Sequence, residues 1–186
     1  LHNPFIGSKS NLIMIQKYAQ ATNQACLAVC LLQLTKTKIT KKKEWDALEY
    51  AFNFSKDDFA IGHFDYIAKK YDIKLDDYWD NKNYCDYLRK MKISKKINIL
   101  HKKIDLNIVN KLIKKSPIIL QIDSYAFWKI THCSHFVIIL EKNKNGYKIY
   151  DPWFGKTFQK STKEVSKGII SLRNLLKFYP QIIQRV

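Results

Sequence analysis

Apolar positions along this chain follow two different periods, and the change from one to the other divides it. After the polar Asn23 and Gln24, the stretch "ACLAVCLLQLTK" becomes almost wholly apolar for two helical turns and leaves into threonines and lysines, which predicts a buried helix. Further on, "DDFAIGHFDYIAKKYDI" spaces Phe59, His63, Tyr66, Ile67 and Lys70 as a helix does. "LNIVNKLIKK" sets Ile108, Val109, Leu112 and Ile113 on one stripe, a second amphipathic helix. Ahead of all three, "SNLIMIQKYAQ" reads as a short extended or helical lead-in, and the middle third, from Trp45 to about Ile104, is polar and rich in aromatic residues.

Beyond Pro117 the period shortens. "SPIILQIDS" has the continuous apolar run of a buried strand, "HFVIILEK" is another, and Asn145-Gly146 is a strong turn signal between it and "YKIY". The last two strands are therefore expected to form a hairpin. A helical N-terminal part followed by an antiparallel sheet is an α+β arrangement. With 186 residues, of which 46% are hydrophobic, the chain builds one sizeable core, so a single domain over 1–186 is expected. The longest apolar runs fall well short of the ~20 residues of a membrane-spanning helix. The chain starts at Leu1, and its opening shows no charged stretch followed by an apolar one, so no signal peptide is expected. Four cysteines without a dense framework suit a reducing compartment, and the expected location is cytoplasmic.

The predicted hairpin brings chemistry into view. His135 and Asp151 stand ten and six residues from the Asn-Gly bend, so a bulge or offset leaves their side chains near each other. A carboxylate beside an imidazole fixes its tautomer and stabilises its charged form. Cys26 stands where the polar stretch turns apolar, at the predicted N-terminus of the first helix. The helix dipole and unpaired N–H groups there favour thiolate, and a neighbouring imidazolium favours it further. Each residue also has a plainer reading: a free cysteine as a small buried hydrophobe, a strand histidine as a satisfied core residue, an Asp before proline as a turn residue. In "THCSHF", His132 is the rival of His135 for the role of base.

Charge adds a separate expectation. Lysine and arginine number 33 against 16 aspartate and glutamate, a formal +17. That balance permits weak, nonspecific contact with nucleic acid or an anionic surface through counterion release. The basic residues are nearly all lysine, with Arg89, Arg173 and Arg185 the arginines, so bidentate forks for phosphate are scarce. The lysines are also dispersed, which is the pattern of a solvated surface.

With these residues in hand, "YAQATNQACLAVCLLQL" resembles the papain-like cysteine peptidases, in which a glutamine stands six residues before the nucleophile, as Gln20 does before Cys26. The further cysteine at Cys30, and the succession "SPIILQIDS", "HFVIIL" and "GYKIYDPWFGK", is similar to the C39-like, double-glycine leader peptidase pattern. The resemblance covers about residues 18 to 34 and 108 to 156. It implies a papain-like fold in which the nucleophile-bearing helix packs on the sheet carrying His and Asp. The roles it implies are Cys26 as nucleophile, His135 as general base and later acid, Asp151 as its orienter and Gln20 as oxyanion donor. Trp153 would shield the His–Asp bond, and Leu27, where the family usually has glycine, would shape the substrate cleft. The long separation from Cys26 to His135 implies inserted helices around 45–104. The activity implied is hydrolysis of a peptide or amide bond through a thioester, on a peptide or protein substrate, without metal or organic cofactor. Two other classes use the same residues: a catalytically silent papain-like module binding peptide or nucleic acid, and a Cys3His zinc site made from Cys26, Cys30, Cys133 and His135.

Overall fold

A seven-stranded mixed sheet with helices on both faces organises the chain, as described for residues 15–54 and 58–186 by a computed structural model. In chain order the elements are α1 (Cys26–Leu34), α2 (Lys41–Phe54), α3 (Phe59–Lys70), β1 (Leu75–Trp79), α4 (Lys82–Leu88), β2 (Ile97–His101) and α5 (Leu106–Ile113). There follow β3 (Ile118–Asp123), α6 (Tyr125–Trp128), β4 (Ser134–Asn143), β5 (Gly146–Asp151), β6 (Lys156–Lys160), α7 (Thr162–Asn174) and β7 (Gln181–Arg185). The strands lie in the order β2-β1-β7-β3-β4-β5-β6. Among the described residues, no helix is long and apolar enough to cross a membrane.

The core is double, one layer on each face of the sheet. Ile119, Ile138, Tyr150 and Ile183 pack with α1, α3 and the inner face of α2. Their strand neighbours Ile118, Leu120, Val137, Ile139, Ile149 and Ile182 pack with α5 and α7 on the other side. Covering both faces is what makes "IIL" in β3 a continuous apolar run instead of an alternating one. All nine residues of α1 are buried. A helix that is apolar all round belongs inside, and α1 lies against β4 with α2 and α3 around it.

The expected hairpin forms. Strands β4 and β5 close with Asn143 opposite Gly146, and the register shifts between Ile139 and Glu141. Gly146 has φ +120°, and a Cβ there would strike the carbonyl of Lys160, so this position needs glycine on both counts.

Three expectations change. The sheet is mixed and not purely antiparallel, because β1 and β2 pair in parallel through the crossover that contains α4. The segment 45–104 holds helices but also supplies these two strands. Of the lead-in, residues 15–20 form neither helix nor strand, and residues 10–14 lie outside the described residues.

Strand β1 escapes periodicity because it buries Asp77. That carboxylate accepts hydrogen bonds from Gln181 Nε2 at 2.6 Å, which ties β1 to β7, and from Trp79 Nε1 at 2.7 Å within β1 itself. Burial pushes the carboxyl from 3.8 up to about 7, the two donors pulling partly back and nearby Asp58 adding to the rise. The folded chain therefore keeps a proton between about pH 4 and 7 that the unfolded chain has released, so this group's contribution to stability falls as pH rises through that window. Asp77→Asn cannot ionise, and Gln181 Oε1, buried without a partner among the described residues, can accept from the new amide after a flip. The variant should gain on the wild type by on the order of 4 kcal/mol between pH 4 and 8. Urea unfolding at the two pH values measures it, and a pH-independent difference would contradict the assignment.

Candidate active site

Strand β4 begins beside the end of β5. Continuing the register of Ile138 opposite Tyr150 places Asp151 opposite Val137, two positions from His135, a diagonal neighbour on the same face. Both side chains are fully buried, and His135 Nε2 lies 2.9 Å from Asp151 Oδ1. The carboxylate has two further donors: the backbone N–H of Trp153 to Oδ1 at 2.8 Å and the Trp128 indole Nε1–H to Oδ2 at 2.8 Å. Trp153 also stacks on the His135 ring, with centroids 4.0 Å apart and planes 27° apart. The apolar cover keeps water from the His135–Asp151 bond and strengthens it.

Cys26 opens α1 and is 9% exposed. Ala25 before it cannot cap with a side chain, so among the described residues no capping side chain takes the first N–H groups of the helix. The thiol lies close enough to the His135 ring to raise its basicity. Nε2 is committed to Asp151, and the other ring nitrogen, Nδ1, is buried without a hydrogen-bond partner among the described residues. Burial alone would lower the basicity of this imidazole, but Asp151 and Cys26 outweigh it and push it up to about 9. One turn later, Cys30 is sealed in the core with its Sγ 3.5 Å from the Phe136 carbonyl, and burial drives its pKa well up.

Gln20 reaches this place through the lead-in, which three contacts hold down. Its own N–H donates to Pro152 O at 2.8 Å, and the Tyr150 hydroxyl donates to Tyr18 O. From α2, the fully buried Glu44 accepts from Tyr18 OH at 2.7 Å, from Ala21 N at 2.8 Å and from Thr22 N at 3.3 Å. Gln20 Nε2 donates one hydrogen to Thr22 O at 2.6 Å and keeps a second. Gly155, at φ +61°, is what lets the lead-in come so near: a Cβ there would sit 2.5 Å from Ala19 N and 2.7 Å from the Tyr18 carbonyl carbon.

The structure thus brings Cys26, His135, Asp151 and Trp153 together, with Gln20 on the adjoining lead-in. Leu27 is 4% exposed and packs into the core, so it offers little surface to a cleft. His132 turns elsewhere: its Nδ1 is 2.7 Å from Asp123 Oδ2 and its ring stacks on Tyr125. Among the described residues, no three histidine, cysteine or acidic side chains are placed to hold a metal, which removes the Cys3His set. Cys133 lies instead against the Ser124 hydroxyl at 3.2 Å. Periodicity missed Glu44 and Trp128 entirely. Their partners come from distant segments, and neither has a local pattern that announces its role.

No family model and no curated protein matches the sequence. Among solved structures, the chain is similar to a Bacillus anthracis protein whose assignment as a C39-like peptidase is itself provisional, at 14% identity and a TM-score of 0.47 over 96% of each chain.

Gly155→Ala should force the lead-in off the 151–155 turn. The strained φ and the backbone clash together should cost on the order of 2 kcal/mol, or roughly 6 °C in melting temperature. An unaltered melting temperature would show that the lead-in does not rest there.

Proposed function

We propose that the protein is a cysteine peptidase or related amide hydrolase of the papain-like, C39-like type. The observation that carries this reading is the buried His135–Asp151 pair, roofed by Trp153, with the Cys26 thiol close enough to the ring to raise its basicity.

In this reading, the Cys26 proton passes to His135 Nδ1 and the resulting thiolate attacks the carbonyl carbon of a peptide or amide bond. Negative charge on the carbonyl oxygen is met by the N–H groups at the start of α1 and by the second hydrogen on Gln20 Nε2. His135 then gives its proton to the departing amine, leaving an acyl thioester on Cys26. Water, deprotonated by the now neutral imidazole, attacks the thioester, and the carboxylic acid leaves as the thiol is restored. Asp151 keeps its charge throughout, orienting the imidazole and stabilising the imidazolium. The scheme needs no metal or organic cofactor.

The pH dependence follows from His135. With its basicity raised to about 9, the imidazolium persists through neutral pH, and turnover should fall as pH rises through that value.

Chemical labelling tests the proposal without a known substrate. A brief pulse of iodoacetamide followed by peptide mapping should modify Cys26 ahead of Cys30 and Cys85, whose thiols burial pushes up, and ahead of Cys133. His135→Ala should slow Cys26 labelling at pH 7 by about tenfold, whereas His132→Ala should not. Asp151→Asn should fall between, because the amide oxygen still accepts the ring N–H but carries no charge. Equal labelling of all four cysteines, or a profile that answers to His132 and not to His135, would refute the triad.

A further inference from the structure

Asp151 has two carboxylate oxygens, and the His135 pair accounts for one. Its Oδ2 is taken by the indole N–H of Trp128 at 2.8 Å, from the four-residue helix α6 between β3 and β4. That indole is itself fixed on several sides. Phe154 and Phe158 meet it edge-on, with centroids 4.8 and 4.6 Å away. Lys160, at the end of β6, places its ammonium 4.0 Å from the centre of the Trp128 ring.

Lys160 is an unusual lysine for so basic a protein. It is 8% exposed, whereas the lysines flanking it in β6 and α7 are solvated. Its Nζ donates to Phe127 O at 2.6 Å, which holds the end of α6, and lies 3.3 Å from Glu164. Burying an ammonium is costly unless its donors are used and its charge is answered. Here one donor fixes the backbone next to Trp128 and the charge faces the π cloud of that ring. A cation on an indole face draws electron density from it and makes its N–H a better donor.

We infer that Trp128 is a positioning residue of the active site, holding Asp151 Oδ2 so that Oδ1 stays on His135, and that Lys160 holds and polarises Trp128 for this purpose. The inference rests on reading Cys26, His135 and Asp151 as the reacting set. Without the indole, the Asp151 carboxylate would keep its backbone donor from Trp153 and its bond to His135 on one oxygen, and would be free to swing about its last torsion. A carboxylate that swings spends less time on the imidazole and raises its basicity less.

The test is the titration of the His135 ring, followed by NMR in the whole protein. In Trp128→Phe, which keeps the aromatic packing and deletes the N–H, the midpoint should fall below the wild-type value of about 9 by at least roughly 0.5. Lys160→Met should move it in the same direction by less, and Lys160→Arg should stay near wild type. A midpoint that is unchanged or higher in folded Trp128→Phe overturns the role of Trp128, and one unchanged in Lys160→Met overturns that of Lys160. Should the Phe variant fail to fold, the wild-type Trp128 indole N–H resonance decides: it should move over the pH range in which His135 titrates, and a flat resonance overturns the tether. Labelling of Cys26 separates the two readings. If His135→Ala leaves that labelling untouched, the Cys–His pair fails, and the NMR midpoint still reports on the tether by itself.

Discussion

A fully buried carboxylate has to find inside the protein the hydrogen bonds it gave up in water, and Asp151 imposes that demand on everything around it. Three donors meet it, from β4, from the turn after β5 and from α6. Each has its own cause. The hairpin register delivers His135, the turn that begins at Asp151 and Pro152 delivers the Trp153 N–H, and the short helix α6 delivers the indole. Removing one donor from such a group leaves a buried charge under-solvated, which costs more than the bond itself contributes. The orientation of His135 is thus secured by a shell of neighbours and not by Asp151 alone.

Cys26 comes from the opposite direction, on a helix whose burial fixes its place. Because α1 is apolar on every side, it can only sit between the sheet and the α2–α3 pair, and its first residue then emerges at the start of β4. The lead-in before it has no secondary structure to hold its shape. Glu44 supplies the missing backbone partners, accepting from Ala21 and Thr22, while Gly155 removes the one side chain that would keep the segment away. Polar satisfaction on one side and steric permission on the other position Gln20.

Much of this is legible in the amino-acid sequence, for reasons that are local. Asn145-Gly146 marks a hairpin because few residues adopt the backbone that such a bend requires, and the bend then brings His135 near Asp151. The apolar run from Ala25 marks a buried helix and so a cysteine at its mouth. What stays hidden is set by approach in three dimensions. Strand β1 conceals itself because Asp77 interrupts its apolar pattern and finds one of its donors on β7, over a hundred residues away. The short run that forms β7 offers two isoleucines between glutamines, too little for a period. Trp128 reads as a core aromatic and Glu44 as a surface acid of a lysine-rich helix, until their partners from other segments are in place. Leu27 misleads in the other direction: its position beside Cys26 suggests a cleft, but the helix turns it inward.

The place of β7 in the sheet has a consequence for how the protein is made. It is the strand between β1 and β3, the seam joining the β2-β1 pair to the four strands that carry the hairpin. It is also synthesised after every other strand. Until it leaves the ribosome, the two halves of the sheet present facing unpaired edges. Such edges are templates for pairing with other chains. Closure of the sheet thus waits on the arrival of residues 181–185, and shortening the chain there would leave two half-sheets with an open seam between them.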